Sequence, residues 1–216
     1  MRGVAVELEP EAWFARLGVH HQHVAACVER FTYAPFARVR EAARAESDVL
    51  IVALDHIEDP QNLGAIIRNA EGAGARLAVL PDRRSASVTP AARRAAAGAA
   101  SHMAIARVPN LVRALEDLKK DGCWVTGLAL TPSAVSFSDA DLTGKRVLVV
   151  GAEGKGLGRL VLERCDQLIK IPLLGKVSSL NAASATAVVL FEAARQRQLA
   201  GERAVSANRL EKTANP

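Results

Sequence analysis

An α/β domain built on an open, Rossmann-like parallel sheet is what the sequence predicts, and three features point to it. From Val49 onward, short apolar runs alternate with stretches of helical period. Those runs are apolar throughout rather than alternating, as strands buried on both faces of a parallel sheet are. Caps and glycine stops punctuate the intervals, and a repeated β-α-β order of this kind belongs to a doubly wound sheet. With 216 residues, half of them hydrophobic, and a mean hydropathy of +0.09, the chain suits one packed domain with a short appendage.

Taken in order, residues 1–48 come first as an N-terminal extension, in which 10–17 and 39–45 read as short helices with no strand set of their own. Strands are predicted at VLIVAL (49–54), RLAVL (76–80), MAIARV (103–108), CWVTGLAL (123–130), RVLVV (146–150) and QLIKI (167–171). Between the first two, Asn62 is read as capping a helix whose Leu63, Ile66, Ile67 and Ala70 share one face, with Gly74 as its stop. Thr89 before Pro90 opens a further helix, and Asn110 opens one that ends at Gly122. A last long helix runs from about Asn181 to about Leu199, so the main domain spans 49–200 and residues 201–216 are read as a flexible tail.

Composition removes several classes of function. Cys27, Cys123 and Cys165 are odd in number and far apart, which suits a reducing, cytoplasmic setting and excludes a disulfide framework. The histidine cluster 20–23, with Cys27 four residues on, has no second ligand pair at zinc spacing, so no metal is expected. No run approaches the ~18 to 20 apolar residues of a membrane helix, and the start carries acids where a signal peptide has an apolar core. Absence of a GxSxG elbow and of a carboxylate dyad sets hydrolase readings aside.

Charge is more informative in its distribution than in its total. The net +5 comes from 21 Arg and 7 Lys against 23 acidic residues. Between Arg83 and Arg107 lie five Arg and no acid, and the rest of the chain is neutral. A solvated helix face is one reading; a surface following phosphates through Arg83, Arg84, Arg93 and Arg94 is the other. Aromatics, at 4%, leave little for base stacking.

Three segments carry the chemistry. DPQNLGAIIR (59–68) follows the first strand, with Arg68 after an apolar pair. VVGAEGKGLG (149–158) matches neither GxGxxG nor the phosphate-binding GxxxxGK[ST], so a plain tight turn competes with a ligand site. Glu153 favours the ligand site, because open α/β sheets collect ligands at the carboxyl ends of their strands. IPLLGKVSSLNAASATAVVLFE (171–192) places Ser178, Ser179 and Asn181 in one loop, more polar groups than a helix cap needs.

In this order, the elements DPxNxGxxxR, GxEGxG and IPxxGxxxSLN resemble the three motifs of the SpoU/TrmH family of RNA ribose 2'-O-methyltransferases, in the SPOUT superfamily. The likeness covers roughly residues 50–197, and the stretch 82–102 is similar to the bacterial 23S rRNA guanosine 2'-O-methyltransferase branch. It implies a C-terminal trefoil knot, S-adenosylmethionine bound there, a homodimer, and an RNA substrate. A tRNA ribose, or an RNA-binding scaffold without activity, is the alternative. By the same likeness Asn62, Arg68, Glu153, Ser179 and Asn181 are catalytic, and Leu128, Gly151, Ile171 and Leu180 contact the cofactor. Two departures stand out: AASAT follows Asn181 where relatives usually have Val and Ser, and only the last piece of an L30e-like RNA-binding domain is matched, in residues 17–33. The family proposal makes Arg68 the base. A guanidinium with pKa above ~12 suits instead a cation that steadies the developing alkoxide and a neighbouring phosphate.

Overall fold

The computed structural model describes residues 5–17, 23–27 and 29–214, the last eleven of these by backbone alone. His20 and His21 of the histidine cluster, part of the L30e-like stretch, and the last two residues of the tail lie outside the described residues. The chain divides into two units, residues 1–32 and 33–216. In the first, helix α1 (Glu11–Phe14) runs into a 3₁₀ turn (Ala15–Leu17), and the Trp13 and Phe14 rings meet edge to face at 5.1 Å.

The second unit is a seven-stranded, wholly parallel sheet: β1 (Val49–Asp55), β2 (Leu77–Pro81), β3 (Ala104–Val108), β4 (Trp124–Leu128), β5 (Val135–Ser136), β6 (Lys145–Gly151) and β7 (Gln167–Lys170). Their order is β3-β2-β1-β6-β4-β7-β5. The chain thus winds outward from β1 through β3, crosses over, and returns β6 between β1 and β4. Such a reversal opens a crevice beyond the carboxyl ends of the strands it separates. β1 and β6 are in register from Val49↔Lys145 to Asp55↔Gly151, which brings the first two motifs to one edge.

Helices cover both faces. Val39 and Ala43 of α2 (Phe36–Ala45) are fully buried in one core layer with Leu115 and Leu118 of α5 (Leu111–Lys120). α2 thereby supplies part of the sheet's cover, and residues 33–48 group with the unit that holds the sheet. On the other face α3 (Pro60–Gly72) packs on α4 (Pro90–Ala95) and α7 (Ala182–Ala214). Gly64 permits the first contact, since a Cβ there would lie 2.2 Å from the Ala92 carbonyl oxygen.

Thr89 and Asn110 cap as predicted, accepting from the N–H groups of Ala92 at 3.3 Å and Arg113 at 3.0 Å. Asn62 does not. The cap of α3 is Asp59, whose carboxylate accepts from Gln61 and Asn62, and Pro60 occupies the first helical position. The Asp-Pro pair sets the helix start three residues early and frees the Asn62 side chain. The predicted fourth strand also stops sooner, at Leu128, because Leu130 leaves the sheet and is 62% exposed. Finally, α7 continues to Ala214 instead of ending near Leu199. Residues 200–214 are rich in Ala, Glu, Arg, Leu and Lys, and the single interruption, Gly201, costs only about 1 kcal/mol.

Candidate active site

All three motifs end at the carboxyl edge of the sheet. After β6 the turn 152–158, which leads into α6 (Arg159–Leu162), folds back on the strand: Gly156 N–H donates to the Ala152 carbonyl at 2.8 Å, with Gly154 and Gly156 at φ of +77° and +64°. Gly151 makes the fold-back possible, because a Cβ on it would sit 2.2 Å from Gly156 backbone atoms.

Glu153, on this turn, is the junction. Its Oε2 accepts from Asn181 Nδ2 at 3.3 Å and from Asn62 Nδ2 at 3.5 Å, and Asn181 Nδ2 also donates to Asn62 Oδ1 at 2.9 Å. Asn181 is meanwhile the cap of α7, its Oδ1 accepting from Ala183 N–H at 2.9 Å and Ser184 N–H at 3.3 Å. Both of its amide hydrogens and its oxygen are therefore engaged, whereas Asn62 keeps one N–H and Glu153 keeps Oε1. Asn69, two turns along α3, donates to the Ala183 carbonyl at 3.3 Å and holds α3 against the start of α7.

Beside this cluster lies a cavity of about 320 Å³, within the range of small-molecule sites. Leu128, Gly151, Ile171 and Leu180, expected at the cofactor, all line it, as do Glu153 and Ser179. Leu130, Val150, Leu157 and Leu162 add apolar walls. Behind it, the Cys165 thiol is pushed up to about 12 by burial, which marks a packing group and not a nucleophile.

Arg68 is not brought to the cluster. Six residues beyond Asn62 on α3, it is about 9 Å further along the axis and some 240° around it, exposed, and neither lines the cavity nor pairs with a described residue. The basic segment is split. Arg83, Arg84 and Arg94 are exposed and Arg93 is half-buried. Arg107, counted with them in the sequence, turns inward to donate to Ser87 Oγ and to the Pro81 and Asp82 carbonyls, under the Tyr33 ring. The loop before α4 is pinned to the carboxyl edge by Ala86 N–H on the Ile57 carbonyl, 2.7 Å. Sequence reasoning missed Asp55, the buried last residue of β1, whose carboxylate accepts the Gly158 N–H at 2.7 Å. A carboxylate closing an apolar run is the one signal of it in the sequence.

Among the described residues no group of three or more His, Cys, Asp or Glu is placed to hold a metal ion, and no helix is long and apolar enough to cross a membrane.

Fold and site together define a parallel α/β domain with a cavity of small-molecule size at its carboxyl edge and polar side chains beside it. The SpoU rRNA Methylase family model matches residues 49–191. The 23S rRNA (guanosine-2'-O-)-methyltransferase RlmB of Pseudomonas putida is 43% identical over 197 residues, 91% of this chain and 78% of its own. An AdoMet-bound rRNA methyltransferase from Sinorhizobium meliloti superposes with a TM-score of 0.68 at 33% identity, over 76% of this chain and 61% of that one. The SpoU methyltransferase AviRb from Streptomyces viridochromogenes, in complex with AdoMet, gives 0.67 at 29% identity, over 72% and 63%. The chain spans less than two thirds of the length of these two solved structures. It belongs to the SpoU rRNA methylase family.

Proposed function

We propose that the protein methylates a ribose 2'-hydroxyl in structured RNA, a 23S rRNA guanosine, with S-adenosylmethionine as methyl donor. One observation carries this: Glu153 stands on the rim of the cavity and in the hydrogen-bonded cluster with Asn62 and Asn181, so cofactor site and polar site share a residue. The cavity suits the donor, having apolar walls for a flat ring and a carboxylate at its rim for a cationic sulfonium.

When bound, the cofactor supplies an electrophilic methyl group. Leu128, Gly151, Ile171 and Leu180, which line the cavity, would hold it in place. Asn181 holds Asn62 and Glu153 against each other and leaves an amide N–H and Oε1 available to an incoming hydroxyl. Glu153 Oε1 would accept the hydroxyl proton as the ribose oxygen takes the methyl group and the sulfonium leaves as a neutral thioether; the Ser179 hydroxyl on the rim would be available to the same ribose. Arg68, charged and exposed away from the cluster, meets an RNA phosphate. Arg83, Arg84, Arg93 and Arg94 follow the backbone from the loop pinned to the same edge. The 43% identity to an enzyme named for 23S rRNA supports the choice of RNA.

The same reading includes a C-terminal trefoil knot, a cytoplasmic location and a homodimer. Support for the dimer comes from α7, which leaves Val188 and Phe191 exposed at 38% and 53%. Equilibrium dialysis with labelled S-adenosylmethionine, followed by transfer to 23S rRNA and to tRNA, tests the function. Saturable binding and transfer to 23S rRNA are expected. No binding overturns the reading, and transfer to tRNA alone moves the substrate.

A further inference from the structure

Asp55 lies outside all three motifs, yet it is 1% exposed and both its oxygens are engaged. Oδ2 accepts the Gly158 N–H at 2.7 Å, and Oδ1 is 2.5 Å from His56 Nδ1. A carboxylate buried this deeply is costly unless its partners are kept. The two ends of the glycine-rich turn meet at this one residue. Asp55 is paired with Gly151 across the β1–β6 ladder, and its side chain takes Gly158 at the other end. Between those anchors the turn has the single Ala152–Gly156 bridge. Glu153 and the cavity-lining stretch 152–157 lie inside that span.

We infer that Asp55 is a positioning residue for methyl transfer: by capturing the Gly158 N–H it sets the turn that carries Glu153 and walls the cofactor cavity. Asp55 itself does not line the cavity, so it acts through the turn. The inference rests on the reading of that cavity as the S-adenosylmethionine site.

The test combines amide hydrogen exchange by NMR, without cofactor, with calorimetric titration of S-adenosylmethionine. In Asp55→Ala the Gly158 amide exchanges at least about tenfold faster, as loss of its hydrogen bond implies, and cofactor Kd rises by a similar factor. Asp55→Asn keeps an acceptor and holds both readouts within about threefold of the unaltered chain. Gly158→Pro removes the donor from the other side, at a φ of −62° that suits the ring. It should loosen 152–157 and weaken Kd like Asp55→Ala, and it decides the matter if that variant does not fold. Leu115→Ala, a fully buried core change in α5, lowers the thermal midpoint and moves neither readout. The inference fails if Gly158 stays protected in Asp55→Ala, if Asn does not restore both readouts, or if Leu115→Ala reproduces the loss. Should the unaltered chain bind no S-adenosylmethionine, the functional reading falls, and exchange at Gly158 still decides the part played by Asp55.

Discussion

Gly151→Ala tests the geometry of the proposed S-adenosylmethionine site most sharply. A Cβ at residue 151 would lie 2.2 Å from the Gly156 carbonyl carbon and oxygen and 2.5 Å from Leu157 N, where ordinary contact begins at 3.4 Å. Strand end and turn must therefore separate by more than 1 Å, and the atoms to be moved are backbone, with no flexible side chain to swing aside. Overpacking of this kind is worth about 1–3 kcal/mol. Without cofactor the turn relieves the clash by lifting off the strand. Binding has to bring it back, so the strain appears in the affinity, as a Kd raised by about 5-fold to 150-fold. Isothermal titration of S-adenosylmethionine reads this directly. Gly175→Ala, in the loop before α7, is the control: nothing lies within 4 Å of its added Cβ, and Kd should not change. An unchanged Kd in Gly151→Ala would refute the idea that the close fold-back of the turn builds the site.

Asn181→Asp keeps the cap on α7, since Asp and Asn cap equally well. It also sets a second carboxylate against Glu153, so kcat should fall by about 10²–10³ at a nearly unchanged thermal midpoint; retained transfer would remove the cluster from the mechanism. Arg68→Ala should abolish transfer and leave cofactor affinity intact, as its distance from the cavity requires, and lost binding in a titration would contradict that. Replacing Arg83, Arg84, Arg93 and Arg94 together should weaken RNA binding and flatten its salt dependence, by about 0.9 in the logarithmic slope for each phosphate no longer neutralised; an unchanged slope rules the surface out. The Arg40 guanidinium donates to Asp121 at 2.6 Å and 2.9 Å and holds its carboxyl below the usual range. A depressed carboxyl stabilises above its unfolded pKa, ~3.9, and that contribution disappears as pH falls through the folded value. Thermal midpoints of Arg40→Met and the unaltered chain should therefore differ at pH 6 and converge below about pH 4; a gap that persists in acid would show that the ion pair is not its cause.

What is legible in the sequence follows from how local each signal is. Apolar runs and the Thr89 and Asn110 caps depend on neighbours within four residues, and those elements lie where the pattern puts them. Asn62 misleads because two residues of DPQN can cap; proline at the first helical position decides between them, and the structural consequence is a free amide for Glu153. Leu128 ends its strand early because Leu130 is apolar for the cavity and not for the sheet. Asp55 meets Gly158 across 103 residues, a pairing that no local pattern encodes. Arg107 is indistinguishable by charge from its neighbours, since only the fold shows that it turns under Tyr33. The position of Arg68, away from Asn62 on the same helix, is open to helical arithmetic, because a spacing of six residues carries a side chain most of the way to another face. Each motif announces a polar residue at a strand end; that the three meet at Glu153 requires the order β1-β6-β4-β7.

Cavity, cluster and basic surface converge on transfer of a methyl group to a ribose oxygen of RNA. Incubating the chain with 23S rRNA and trideuteromethyl S-adenosylmethionine, then digesting to nucleosides for mass spectrometry, tests it in one measurement. The heavy methyl is expected on 2'-O-methylguanosine, and its initial rate of appearance is expected to fall by about 10²–10³ when Asn181→Asp replaces the unaltered chain. Label on a base, or none under conditions where the RNA and the cofactor both bind, would contradict it.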